Sequence, residues 1–508
     1  MIHLRWCVFG TGNEGFHSSW KERRMKNVLI CATLSLAPLG APAELAGQET
    51  GDRTAGFVGH WVGSLDVGAL QLRMRLDVTE SDGVLSAAFV SLDQGNASVP
   101  VESVSVSGTT ISVSMPAAGA SFEGTLAEDG ARIDGSFVQM GTSLPLVLDR
   151  VTEEEAEGRR PQDPVEPFPY LSEEVAYPNP DGGHTLAGTF TRPAEGGPFP
   201  AVILISGSGP QDRDESLMGH RPFLVLSDHL TRSGIAVLRY DDRGVGGSTG
   251  DFAAATSRDF ASDALAGVAY LKTRPDVDAG AIGLAGHSEG GIIAPIVAVE
   301  SEDVAYIVLM AGTGVTGERI LYAQGALVAR AGGASEEAIA DNQALQRAMF
   351  EALKSEPDPE RAGEAIGELV RNALEAATPE ERARSGVTDD ASMEAVVAAQ
   401  AQQLNTPWFR YFLTHDPAEV IEQVTVPVLA INGENDLQVP YEENLREIEA
   451  ALQRGGNDRY EVHALPGLNH LFQHSETGAP SEYGAIDETW SVDVMELIAE
   501  WILRLVER

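Results

Sequence analysis

Cysteine is nearly absent from this sequence. The two that exist, Cys7 and Cys31, stand close to its beginning. The body of the chain therefore has no disulfide frame, no thiolate nucleophile and no cysteine metal site, and its stability has to come from packed cores. Lysine is almost as rare, at Lys21, Lys26, Lys272 and Lys354 alone. Basic residues total 35 against 76 acidic ones, a formal net charge of −41. Such a surface repels phosphate backbones and anionic headgroups, which argues against nucleic-acid partners and against attachment through basic patches. What is present, 43% hydrophobic and 22% charged residues over 508 positions, is the balance of a folded chain with room for two domains.

Residues 1–43 read as a signal peptide. Met25-Lys26 supplies a positive start, Val28 to Leu39 an apolar stretch too short to span a bilayer, and Ala41-Pro42-Ala43 a small-x-small cleavage site. Residues 1–24 show no apolar pattern, which makes Met25 a candidate start. The expectation is an exported protein, periplasmic or secreted, that loses both cysteines with the segment and keeps no membrane insertion.

Residues 55–150 alternate apolar and polar side chains, as in Leu70-Gln71-Leu72-Arg73-Met74-Arg75-Leu76. About eight short strands are separated by turn signals at Asp82-Gly83, Gly108, Gly119 and Asp129-Gly130, a spacing that predicts a small barrel or sandwich. Trp61 is expected to plug its core. A linker at 151–170 follows, with Glu153-Glu154-Glu155 and four prolines, at 161, 164, 167 and 169.

From residue 171 onward strands alternate with helices, the pattern of a mostly parallel sheet. Strands are predicted at Ala201–Ile205, Ile235–Tyr240, Ala281–Ala285, Tyr306–Met310, Val426–Ile431 and Tyr460–Ala464, with amphipathic helices such as Phe223–Thr231 and Phe260–Leu271 between them. About 110 residues rich in Ala, Glu, Gln and Arg separate the strand ending at Met310 from the next. They predict a helical insertion, about 316–416, lying as a lid over the sheet's active edge. Trp408, Phe409, Tyr411 and Phe412 close it, either as anchors to the core or as an acyl pocket.

Gly-x-Ser-x-Gly occurs twice, around Ser288 and around Ser248, and 53 glycines make chance matches easy. Context separates the two. Ser288 follows the apolar run Ala281 to Ala285 and precedes Gly291-Ile292-Ile293-Ala294, the strand–turn–helix frame of a nucleophile elbow. Glycine two places before and two after lets such a bend close without a clash. Ser248 lies in a loop several residues past its strand and is read as structural.

A serine hydroxyl needs a base, and the base a carboxylate to orient it. In a strand–turn–helix hydrolase the order is serine, acid, histidine. Asp436, in the loop after Val426–Ile431, is the candidate acid, with Glu434 as alternative. His470, in the loop before the last helix, is the candidate base. His474 is the fallback, and His463 is expected to be a strand residue. The oxyanion hole falls to the backbone N–H groups of Glu289, following the nucleophile, and of Ser208 in the glycine-rich loop Ser206-Gly207-Ser208-Gly209-Pro210. No histidine or carboxylate cluster has metal-ligand spacing, and no cofactor is implied.

Residues 160–508 resemble bacterial exported α/β-hydrolases of the serine-aminopeptidase-like group. The resemblance is carried by Pro161-Gln162-Asp163-Pro164, Gly207-Ser208-Gly209-Pro210-Gln211-Asp212-Arg213-Asp214, Asp242-Arg243-Gly244, Gly286-His287-Ser288-Glu289-Gly290-Gly291 and Asn469-His470. It implies an α/β-hydrolase fold behind an N-terminal β domain, and esterase activity on a small-molecule, short-chain ester. Two other readings remain open: a serine peptidase acting on short peptides, and a non-catalytic binding protein on a hydrolase scaffold.

Overall fold

The computed structural model describes residues 56–506 except the short stretches 67–70, 82–83, 93–96, 140–141, 153–155 and 157–159. The expected signal peptide, both cysteines, the Asp82-Gly83 turn and the triple glutamate therefore lie outside the described residues. Two compact units divide the chain, one comprising Pro164–Glu215 and the chain from Pro222 onward, the other the residues up to Asp163 together with Ser216–Arg221.

The first unit along the chain is one antiparallel sheet of nine strands: β1 (Gly59–Asp66), β2 (Gln71–Ser81), β3 (Val84–Ser91), β4 (Ala97–Val99), β5 (Ser103–Ser107), β6 (Thr110–Met115), β7 (Ala120–Leu126), β8 (Arg132–Gln139) and β9 (Thr142–Val151). They lie in the order β4-β3-β2-β1-β9-β8-β7-β6-β5. The sheet curls until β5 comes against β3, so one apolar face wraps one core. The period-two pattern sets which residues enter it: Met74, Leu76 and Val78 from β2, Ile111, Val113 and Met115 from β6. Trp61 is completely buried and donates its indole N–H to the Phe57 carbonyl at 2.8 Å. Full burial of each such large side chain stabilises by about 1.5–3 kcal/mol.

The second unit is an eight-stranded sheet in the order β10-β11-β13-β12-β14-β15-β16-β17, formed by β10 (Tyr170–Asn179), β11 (His184–Pro193), β12 (Phe199–Ile205), β13 (Ala236–Tyr240), β14 (Val277–His287), β15 (Tyr306–Met310), β16 (Val428–Gly433) and β17 (Tyr460–Leu465). The last six run parallel, while β10 and β11 form an antiparallel edge. Helices α1 (Pro222–Arg232), α2 (Ser257–Lys272) and α3 (Gly290–Glu300) connect the early strands. Alternate residues of one strand feed separate cores: Ala201, Ile203 and Ile205 join α2 and α3, whereas Val202 and Leu204 join α1. This strand order is that of an α/β-hydrolase. The direction of winding reverses between β12 and β14, and ligand sites form at the carboxyl ends of strands at such a reversal.

Seven helices fill the connection from β15 to β16: α4 (Gly317–Ala331), α5 (Glu336–Ser355), α6 (Pro359–Ala376), α7 (Pro379–Arg384), α8 (Asp390–Leu404), α9 (Pro407–Thr414) and α10 (Pro417–Ile421). Trp408, Phe409 and Phe412 of α9 are buried in the same core as α3, the placement of anchors. After β16 come α11 (Tyr441–Arg454) and, following β17, α12 (Val492–Val506). Among the described residues no helix is long and apolar enough to cross a membrane.

Candidate active site

β14 ends at the bend that carries Ser288. Its φ is +53°, a left-handed conformation rare for a residue with a side chain, and it costs on the order of 1–3 kcal/mol. The surroundings hold it: Ser288 N–H donates to the Met310 carbonyl at 2.9 Å, and Gly291 N–H to the Ser288 carbonyl at 2.9 Å. A Cβ on Gly286 would lie 2.0 Å from the Gly290 carbonyl oxygen, and one on Gly290 would lie 2.2 Å from that of Ile205. Both obstacles are backbone. Gly290→Ala is accordingly expected to cost about 3 kcal/mol or more, measured as a shift in the denaturant midpoint.

Asp436 follows β16, and its two carboxylate oxygens have separate duties. Oδ1 accepts the N–H groups of Gln438 and Val439 at 2.8 and 2.9 Å, which fixes the carboxylate plane. Oδ2 lies 2.7 Å from His470 Nδ1. His470 sits in a tight turn after β17. Buried Asn469 organises that turn, since its Oδ1 accepts from Leu471 and Gln473 N–H, and Phe472, at φ +58°, stacks on Trp490 with centroids 4.9 Å apart. Asp436 and His470 are almost wholly buried, at 3% and 1% exposure, so their contact is sheltered from solvent screening. The Ser288 hydroxyl makes no hydrogen bond among the described residues.

The alternatives lie elsewhere. Glu434 is exposed, His463 stands on β17 with Glu461 at 3.4 Å, and exposed His474 pairs with Glu488 at 2.9 Å. Ser248 donates to the Asp241 carbonyl and accepts from Ala187 N–H, tying a loop to β11.

The loop after β12 closes on the bend: a Cβ on Gly207 would come 3.2 Å from Ser288 Cβ. Neither Ser208 N–H nor Glu289 N–H has an acceptor among the described hydrogen bonds. Sequence reasoning used Glu289 only for its backbone and missed its side chain. That carboxylate is 3% exposed and accepts from Ser257 Oγ and from Trp408 Nε1, each at 2.6 Å. Burial raises its pKa against the pull of these donors. Asp242 lies close by, accepting Ser206 Oγ at 3.1 Å and Gln211 N–H at 2.9 Å. Burial, with the charge of Glu289 adding to it, holds Asp242 well above the usual carboxylate range. Missed as well is the contact of His287 with Glu215 at 2.8 Å. The one available signal was polar residues at both variable positions of the Gly-x-Ser-x-Gly string. Among the described residues no group of His, Cys, Asp or Glu is placed to hold a metal ion.

Fold and site together define an α/β-hydrolase whose serine, carboxylate and histidine follow the carboxyl ends of β14, β16 and β17 in one parallel sheet. The family described as X-Pro dipeptidyl-peptidase (S15 family) matches residues 181–470, more than half of the chain and all three of those side chains. The chain belongs to this family and is a hydrolase. It is also similar to Esterase EstD of Thermotoga maritima, 27% identical over 326 residues, which cover 63% of this chain and 66% of that protein, just under two thirds of its length. Solved structures resemble it more loosely. The α/β hydrolase GrgF from Penicillium sp. sh18 is 19% identical with a TM-score of 0.40 over 66% of this chain and 98% of its own. Est1E from Butyrivibrio proteoclasticus is 18% identical with a TM-score of 0.37 over 66% of this chain and 100% of its own. The fold assignment rests on the strand order, not on these.

Proposed function

We propose that this protein cleaves carboxylic esters, preferentially short-chain ones, through an acyl-enzyme on Ser288. The observation that carries the reading is the buried 2.7 Å contact of His470 Nδ1 with Asp436 Oδ2 beside a serine on a left-handed bend. With Nδ1–H held by Asp436, the ring keeps its lone pair on Nε2, the atom that takes the serine proton. The oxygen attacks the ester carbonyl, the N–H groups of Glu289 and Ser208 receive the oxyanion, and His470 returns the proton to the departing alcohol. Water repeats the sequence to release the acid. The insertion, whose Trp408 reaches Glu289, acts as the lid of this site. The name of the curated relative supports ester chemistry.

A peptidase reading has its own support. The family's description is one, and Asp242 and Glu289 are two sheltered carboxylates that form no ion pair among the described residues. Desolvated carboxylates without a cation favour a substrate that brings one, such as a protonated amine. A substrate panel separates the readings. p-Nitrophenyl acetate, butyrate and decanoate are compared with aminoacyl and X-Pro p-nitroanilides at equal concentration. We expect kcat/KM for the butyrate to exceed that for every anilide by at least ~10²-fold. A larger kcat/KM on any anilide would replace the ester proposal with the peptidase one.

A further inference from the structure

His287, the residue before the nucleophile, has no part in the proton transfer described above, yet both of its ring nitrogens are committed. Nε2 lies 2.9 Å from the backbone carbonyl oxygen of His470, and Nδ1 lies 2.8 Å from Glu215 Oε1. The same Oε1 accepts the N–H of Gly207 at 2.7 Å. One carboxylate oxygen and one imidazole therefore link three segments: the oxyanion loop through Gly207, the bend through His287, and the base loop through His470. Both side chains are about 1% exposed. Glu215 is held at φ +53°, a backbone conformation that favours glycine. Its Oε2 is buried and has no hydrogen-bond partner among the described residues.

Proton accounting makes the link titratable. A carbonyl oxygen only accepts, so Nε2 must carry a hydrogen. Opposite a carboxylate that likewise only accepts, Nδ1 must carry one too, which would make the ring an imidazolium. Burial works against that charge, but the Glu215 carboxylate, its hydrogen bond, the His470 carbonyl and the more distant Asp436 outweigh it, and the pKa of His287 is raised above its ordinary value. The groups facing the ring are Glu215 from the loop after β12, Asp436 from the loop after β16, and, from the loop after β17, the His470 ring at 4.9 Å between centroids and the apolar ring of Phe472. Loss of the proton turns one of the two contacts into a lone pair facing an acceptor, with no spare donor at hand.

We infer that His287 and Glu215 are positioning residues that hold the base loop and the oxyanion loop in register with Ser288, and that the register fails when the bridge loses its proton. The inference rests on the catalytic reading of Ser288 and His470 given above. The sign follows from the direction of the shift. Activity that needs protonated His287 is present below its raised pKa and lost as pH rises through it. Removing the carboxylate removes the main support of the charge, so the loss moves to lower pH.

The test measures kcat and KM for p-nitrophenyl butyrate from pH 5 to 10 on the full chain, on Glu215→Gln and on His287→Gln, with Ser288→Ala as control. For Glu215→Gln we expect kcat at pH 7 to fall on the order of 10- to 100-fold at nearly constant KM, with the alkaline limb displaced to lower pH. His287→Gln keeps a donor toward the His470 carbonyl but cannot titrate, so it should lower kcat without an alkaline limb from this source. Wild-type kcat and an unmoved alkaline limb in both variants overturn the inference. Retention of activity by Ser288→Ala instead overturns the catalytic reading beneath it. Should a variant melt far below the wild type, ¹⁵N-histidine spectra of the wild-type chain recorded from pH 5 to 10 decide: one ring is expected to keep both nitrogens protonated to higher pH than the histidines of the urea-unfolded chain, and its absence overturns the inference.

Discussion

Replacing Ser288 by alanine is expected to lower kcat for p-nitrophenyl butyrate by ~10⁴-fold or more, with the melting temperature unchanged or raised. In the proposed mechanism the hydroxyl forms the acyl intermediate, and no other described group at the bend would replace it. The residual rate expected on this reading is that left by the proposed oxyanion donors, the N–H groups of Glu289 and Ser208. Stability should not suffer, because the Ser288 backbone is held by Met310 and Gly291, and its hydroxyl has no partner among the described residues. A fall in activity together with unfolding would point to a structural role. Unchanged turnover would remove Ser288 from the chemistry.

Asp436→Asn is the second large effect, expected at ~10³- to 10⁴-fold in kcat. The amide is close in shape to the carboxylate but cannot serve both of its neighbourhoods. Oδ1 now accepts two backbone N–H groups and Oδ2 faces His470 Nδ1. An asparagine that keeps its oxygen toward Gln438 and Val439 must aim its NH₂ at His470, which forces Nδ1 to become an acceptor and puts the hydrogen on Nε2, where the serine proton has to go. Flipping the amide sets two donors against two donors instead. Raising the pH should not rescue the variant, since the fault is the tautomer and not the charge. Activity within tenfold of wild type would remove Asp436 from its assigned role.

Much of the catalytic unit is legible in the sequence because its strands are covered on both faces. A strand buried from both sides must be apolar throughout, and Tyr306–Met310 reads identically in sequence and structure. The others differ by a few residues at their ends, where the apolar run and the hydrogen-bonded strand start or stop at different residues. The hairpin β10 and β11 escapes this reading: it lies at the sheet edge, exposes one side of β10 and carries charges such as Glu173 and Glu174 within the strand. In the N-terminal unit the alternation identifies strands and their buried faces but not closure. Whether nine strands pair as a barrel, a sandwich or one curled sheet depends on pairings between distant segments, for which a period of two carries no information.

The candidate site divides along the same line. Glycines flanking Ser288 are readable because a local steric limit demands them, and Asp436 and His470 are readable because each follows a strand in a fixed chain order. By itself the sequence determined the strand-and-helix alternation, the bend at residue 288 and the short set of acids and bases able to serve it. All of these depend on near neighbours in the chain. Only the tertiary structure decided that Glu215, 72 residues before His287, would share its ring proton, and that Trp408, 119 residues after Glu289, would cap its carboxylate. Such partners meet because the sheet brings strand ends together. An isolated carboxylate in a sequence looks the same whether it ends in solvent or in a buried bridge.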